Sequence, residues 1–125
     1  MNSHGNDAPL VLILEDEVLI GINLQDELQD ADFQVAGPFT TCAAALEWLQ
    51  TATPDVAILD AALKDGPCRE IALELNNRAV PFLIYSGYGE DQELPAAFHH
   101  VIWIEKPVPP SVLVQACQEL LVSQD

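Results

Sequence analysis

The sequence predicts an α/β domain built on a doubly wound, five-stranded parallel sheet. Short apolar runs alternate with segments whose apolar residues recur at helical spacing, as strands joined by crossover helices require. The strand-like runs are apolar throughout rather than at every second residue, the pattern of strands buried on both faces. At 125 residues, half of them apolar, the chain suits one domain with material for a sizeable core.

Leu10 to Leu14 (LVLIL) is the first strand. Val18, Leu19, Ile22, Leu28 and Ala31 then recur through a first helix, with Asp and Glu on its other face. Gln34 to Ala36 is a short second strand, broken by Gly37 and Pro38, after which Thr41 caps a second helix reaching Trp48 and Leu49. Trp48 is expected in the core. Asp55 to Asp60 (DVAILD) is a third strand ending in an acid. Gly66 and Pro67 mark the next boundary, where Pro67 suits a first helical position, and Ile71, Ala72 and Leu75 form the inward stripe of a third helix. Val80 to Tyr85 (VPFLIY) is a fourth strand, with Pro81 tolerated near its start, and Val101 to Ile104 (VIWI) is the fifth. Val112, Leu113, Ala116, Leu120 and Leu121 mark a closing amphipathic helix. Between the last two strands, GYGEDQELPAAFHH carries two glycines, several acids and Pro95, so a short or irregular fourth helix is expected. Residues 1–9 read as a flexible leader and 10–125 as a single domain. The strict alternation makes the fold flavodoxin-like in strand number and size, with all strand C-termini on one sheet edge, where ligands bind.

Twenty acidic residues against four basic ones give a formal charge of -16. Lys64, Arg69, Arg78 and Lys106 are scattered, so the clustered cations that attract nucleic acid or anionic lipid are missing. No apolar run approaches the roughly 20 residues that span a bilayer, and MNSHGNDAP has neither the cationic start nor the apolar core of a secretory signal. A soluble, cytoplasmic protein is expected, without nucleic-acid or membrane contacts. Cys42, Cys68 and Cys117 lack the paired spacing of a zinc or redox motif and are expected to be buried free thiols. His99 and His100 read as a solvated pair rather than a metal site.

The strand ends carry chemistry: Glu15 and Asp16 after the first, Asp60 closing the third, Ser86 after the fourth, Lys106 and Pro107 after the fifth. Each has an ordinary explanation alone, as a solvated acid, a helix cap or a loop serine. Together they place three carboxylates, a hydroxyl and one of four cations on one edge. Crowded carboxylates repel unless a cation sits among them, and an all-oxygen set suits Mg²⁺ bridging to a phosphate. Lys106 and the Ser86 hydroxyl can hold further phosphoryl oxygens, and a carboxylate can attack phosphorus to form an acyl phosphate.

The LVLILEDE start, VAILD ending at Asp60, Ser86 in IYSG, and Lys106-Pro107 in WIEKP resemble a response-regulator receiver domain of bacterial two-component signalling. The likeness runs from Leu10 to about Leu121. It implies that Asp60 is the phosphoacceptor, Asp16 a direct Mg²⁺ ligand, Glu15 an acid acting on the metal through water, and the Ala62 carbonyl the backbone ligand. Ser86 and Lys106 would contact phosphoryl oxygens, and the Lys106-Pro107 peptide would be cis. Trp103 stands where receivers carry a switch aromatic, although a strand aromatic that simply packs the sheet explains it equally well. Tyr85 and Tyr88 read as packing residues. Glu15 replaces the family's usual Asp and is one methylene longer. The YSGYGE segment resembles the FAT GUY subgroup, many of whose members are single-domain proteins with an unusual fourth helix, without its Phe-Ala-Thr lettering.

The function implied is a Mg²⁺-dependent phosphorylation switch rather than a turnover enzyme. A sensor histidine kinase or histidine phosphotransfer protein would donate to Asp60 in a monomer or weak dimer lacking an output domain, which signals through protein contacts as a shuttle, sink or kinase regulator. A small phosphatase using an aspartyl phosphate is the alternative, weakened by Ala62 where such enzymes carry a second acid. A flavin module is disfavoured because EDEV offers acids where a phosphate-binding loop offers bare N–H groups.

Overall fold

A computed structural model describes residues 8–61, 63, 65, 68–87 and 101–123. The elements are β1 (Leu10–Leu14), α1 (Val18–Asp30), β2 (Gln34–Phe39), α2 (Cys42–Leu49), β3 (Val56–Leu59), α3 (Arg69–Asn77), β4 (Phe82–Ser86), β5 (Ile102–Glu105) and α4 (Pro110–Val122). All strand pairs are parallel, in the order β2-β1-β3-β4-β5. The predicted doubly wound sheet is therefore present. Residues 88–100, where the irregular fourth helix was expected, lie outside the described residues, as do Tyr88, His99, His100 and most of the leader.

Alternation along the strands divides the core into two layers. Leu12, Leu14, Ala57, Leu59 and Ile84 face Ala45 and Leu49 of α2 and Ile71, Ala72 and Leu75 of α3. Val11, Ile13, Val56, Ile58, Leu83 and Tyr85 face Leu24 and Leu28 of α1 and Leu113, Val114 and Cys117 of α4. Each fully buried Leu or Ile contributes about 2 kcal/mol. A one-residue slip of any strand would exchange the two layers, so packing fixes the register.

The first helix turns differently from its predicted stripe. Gly21, Leu24 and Leu28 are buried, whereas Val18, Leu19 and Ile22 are 64%, 75% and 45% exposed. Its first turns are apolar on two faces and only one can meet the sheet. Gly21 selects that face, because a Cβ there would lie 2.9 Å from Pro38 Cγ.

The second strand continues through Gly37 and Pro38 to Phe39 instead of ending at Ala36. Its register against β1 shifts between Leu12 and Leu14, and Gly37 sits at φ +100 with no room for a Cβ, which would be 2.7 Å from Ile13 O. A bulge on an edge strand is where Pro is tolerated. Thr41 caps α2 as predicted, its Oγ1 accepting from Ala44 N at 3.1 Å. Trp48 is half-buried, packing on the core with its ring 6.2 Å from that of Phe39. β4 begins after Pro81, which has no N–H for the ladder, and β5 is displaced by one residue to Ile102–Glu105. α3 begins at Arg69, beyond Pro67, which lies outside the described residues.

Two expected free thiols are paired: Cys42 and Cys68 form a disulfide with Cα atoms 5.4 Å apart. Sequence spacing carried no sign of this bond. Cys42 opens α2 and Cys68 precedes α3, and these neighbouring crossovers on one sheet face bring together residues 26 apart. Cys117 is a buried free thiol, as expected, and burial pushes its pKa up to about 12.

Arg78 ties the ends of α2 and α3. Its guanidinium donates to Leu49 O at 2.9 Å, Ala52 O at 3.0 Å and Thr53 Oγ1 at 2.8 Å, and it pairs with Glu74 at 2.8 Å. Arg78→Ala strands these carbonyls and is expected to cost about 2 kcal/mol in denaturant unfolding. Arg78→Lys should recover little of it, because an ammonium cannot span the same acceptors. Full recovery by Lys would refute the fork geometry as the cause.

Candidate functional site

The sheet order reverses beside β1, so the C-terminal ends of β1, β3, β4 and β5 open on one crevice. Glu15 follows β1 and is held by its N–H donating to Phe39 O at 2.9 Å. Asp60 follows β3, its N–H donating to Leu14 O at 3.1 Å. Ser86 is the last residue of β4, and its carbonyl accepts from Lys106 N at 2.8 Å. The ladder itself thus brings the predicted residues together.

Glu15, Asp60 and Ser86 are the buried polar residues among those described, at 2%, 3% and 0% exposure. Burying carboxylates without a counter-charge is prohibitively costly. Lys106 supplies that charge: Nζ lies 2.9 Å from Glu15 Oε2, 3.1 Å from Asp60 Oδ2 and 3.5 Å from Glu17 Oε2. Burial would lower the Lys106 pKa, but hydrogen bonds to Glu15 and Asp60, and their charges, hold it above the ordinary lysine value. Burial pushes Glu15 up to about 7, against the opposing pull of Lys106 and of the Glu17 N–H, which donates to Glu15 Oε2 at 3.1 Å. The negative charge of Asp60 adds to the rise.

Glu15, Asp16 and Asp60 offer one oxygen each, all within 4.8 Å of one another. That all-oxygen set fits a hard divalent cation such as Mg²⁺. Ala62, the expected backbone ligand, lies outside the described residues. Trp103 is half-buried on β5 and packs on the α2–α3 layer, while Ile104 faces the other layer. The Lys106-Pro107 peptide is cis, as expected.

Two contributors escaped the sequence reading. Glu17 was legible only as the third acid of EDE, with nothing to show that its side chain reaches Lys106. Tyr85 is more than packing: its ring lies 5.3 Å from Lys106 Nζ. Its hydroxyl accepts from Val108 N at 3.2 Å and donates to Val108 O at 3.3 Å. Tyr85 thereby fixes the turn that carries Lys106.

Chemically, the cluster is an anionic pocket of oxygen donors able to hold a hard cation, with the Lys106 ammonium seated between two of its carboxylates. The sequence model of the response regulator receiver domain family matches residues 11–118. No curated protein matches in sequence. Among solved structures, a response regulator receiver protein from Sinorhizobium medicae superposes with a TM-score of 0.81 at 23% identity, covering 96% of this chain and 99% of its own. The chemotaxis response regulator CheY4 of Vibrio cholerae gives 0.78 at 24%, covering 91% and 99%. The Thermotoga maritima response regulator TrrA, solved with Mg²⁺ and BeF, gives 0.75 at 19%, covering 90% and 99%.

Proposed function

Because the chain belongs to the response regulator receiver domain family, we propose that Asp60 is its phosphoacceptor and that phosphorylation throws a conformational switch. The observation that carries this reading is the Lys106 ammonium seated between the buried carboxylates of Glu15 and Asp60. A purely structural ion pair would need one acid. Here several converge on one sheet edge, beside the nearly inaccessible Asp60.

Asp60 attacks the phosphorus of a phosphohistidine in line, and the bond to the histidine nitrogen breaks with its electron pair returning to the ring. Mg²⁺ held by Glu15, Asp16, Asp60 and the Ala62 carbonyl would offset charge on the phosphoryl group; the clustered oxygens of the three acids support this reading, and the Thermotoga protein of the same fold was solved with Mg²⁺ and BeF. Lys106 moves from the Asp60 carboxylate to a phosphoryl oxygen, and the Ser86 hydroxyl donates to another. Moving Ser86 and Lys106 repacks the β4 and β5 ends, with Trp103 as the aromatic that changes rotamer. Such a switch is a shift between two packings biased by local charge.

The donor is a histidine kinase or histidine phosphotransfer protein. Exposed Val18, Leu19 and Ile22, on the turns of α1 next to Glu15 and Asp16, give it an apolar landing surface beside the nucleophile. The net charge of -16 favours a basic rim on the partner and an encounter rate that falls with salt.

Incubation with a small acyl phosphate and Mg²⁺ should add one phosphoryl group, mapped to Asp60 by reductive trapping. Omitting Mg²⁺ or introducing Asp60→Asn should abolish it. Labelling that persists in Asp60→Asn would sink the assignment.

A further inference from the structure

The Cys42–Cys68 disulfide pins the segment that leaves the proposed phosphoacceptor. Cys68 lies eight residues beyond Asp60 in the chain. Between them, Leu63 is buried in the α2–α3 layer. Asp65 accepts from Cys42 N at 2.8 Å and Ala43 N at 3.2 Å, and these bonds hold its carboxyl below the ordinary value. Asp65 and Cys68 are thus each tied to the start of α2, one by a carboxylate and the other by a covalent bond.

Cys68 is itself unusual. It occupies the N-cap of α3 at φ 59, ψ 45, a left-handed conformation, with no side-chain hydrogen bond to the first turn. An ordinary N-cap is extended and is Ser, Thr, Asp or Asn. A non-glycine residue persists in the left-handed region only when its surroundings over-determine it. The sulfur bridge to Cys42 is one such constraint. Released, Cys68 can relax toward an ordinary cap, and the start of α3 and the chain behind Asp60 move with it.

We propose that Cys42 and Cys68 form a thiol–disulfide exchange site through which a dithiol reductant loosens the segment after Asp60 and weakens phosphorylation. The proposal rests on the reading of Asp60 above. One thiolate of the dithiol attacks Cys42 Sγ, and the Cys42–Cys68 bond breaks with its electron pair on Cys68. The second thiol of the reductant then displaces Cys42, closing a cyclic disulfide, and its two protons end on Cys42 and Cys68. Either sulfur would leave as a thiolate at the start of a helix, Cys42 opening α2 and Cys68 preceding α3. Cys42 and Cys68 are themselves buried, at 6% and 3% exposure, so exchange requires local opening where α2 and α3 begin; Cys117, buried and unpaired, serves as an internal control.

The test compares air-purified protein with the same protein in dithiothreitol. Alkylation after denaturation should count one thiol in the first and three in the second. Mg²⁺ affinity by calorimetry, and the phosphorylation rate with a small acyl phosphate, should each fall several-fold on reduction. The double variant Cys42→Ala/Cys68→Gly, with glycine to accept the left-handed φ without strain, should match the reduced protein and ignore dithiothreitol. Three thiols in the air-purified protein, or Mg²⁺ affinities equal within twofold in both redox states, would overturn the proposal. Absence of phosphorylation in both states would instead strike the Asp60 reading, while thiol count and Mg²⁺ affinity still decide the exchange site.

Discussion

In metal-free buffer the protein is expected to lose about 3 kcal/mol of stability as pH rises from 4.5 to 7, the opposite of what an acidic protein rich in solvated carboxylates does near its acid limit. The cause is Glu15. Its carboxyl titrates near 4.5 in the unfolded chain and is pushed up to about 7 when folded, first by burial and then by the charge of Asp60. Between those values the folded state binds more protons than the unfolded state, so the slope of unfolding free energy against pH is negative. The contribution is complete below 4.5 and lost once pH passes 7. At 1.36 kcal/mol per pH unit, the difference of about 2.5 units gives the figure above. Glu15 is 2% exposed, so solvent screening takes little from it. Urea unfolding in EDTA across this range measures the effect. Glu15→Gln keeps an acceptor for Lys106 and for the Glu17 N–H and should flatten the profile. Millimolar Mg²⁺ should restore stability above pH 7 by binding the folded state alone. A flat wild-type profile in EDTA would mean that Glu15 is not buried beside Asp60 as described.

That pocket was legible in the sequence because its parts sit at strand ends. Once LVLIL, DVAILD, VPFLIY and VIWI are parallel strands, topology alone gathers Glu15, Asp16, Asp60, Ser86 and Lys106. Signals set by local spacing were equally readable, such as the Thr41 cap. What resisted reading depends on which of several compatible faces or partners tertiary packing selects. Val18, Leu19 and Ile22 fit an inward helical stripe as well as Gly21, Leu24 and Leu28 do, and only the approach of Pro38 to Gly21 decides between them. Gly37 and Pro38 look like a strand terminator, yet a bulge carries an edge strand through them. Tyr85 has one role toward the core and another toward Val108 and Lys106, and alternation along β4 reveals only the first.

Reduction of the Cys42–Cys68 bond should lower stability by about 3.5 kcal/mol and the melting temperature by roughly 10 °C. The cross-link spans 26 residues, and the entropy it removes from the unfolded chain grows slowly with loop length, so a bridge of this size lies in the upper part of the usual range. The Cα separation of 5.4 Å is one that paired cysteines ordinarily adopt, so the folded state accommodates the bond. The enclosed loop contains all of β3 and Asp60, so the bond restrains the unfolded chain around the site-forming strand. Asp65 supplies the check that separates this from simple loss of packing. With the bridge closed, its two hydrogen bonds to Cys42 and Ala43 fasten a segment already fastened, and Asp65→Ala should cost little. With the bridge open they still tie Asp65, among the described residues, to the start of α2, and the same substitution should cost measurably more. The quantity to measure is the coupling between reduction and Asp65→Ala in a double-mutant-style cycle of urea unfolding. Strictly additive costs, or a melting temperature that dithiothreitol leaves within about 2 °C of its starting value, would show that the segment after Asp60 is held by something other than this pair.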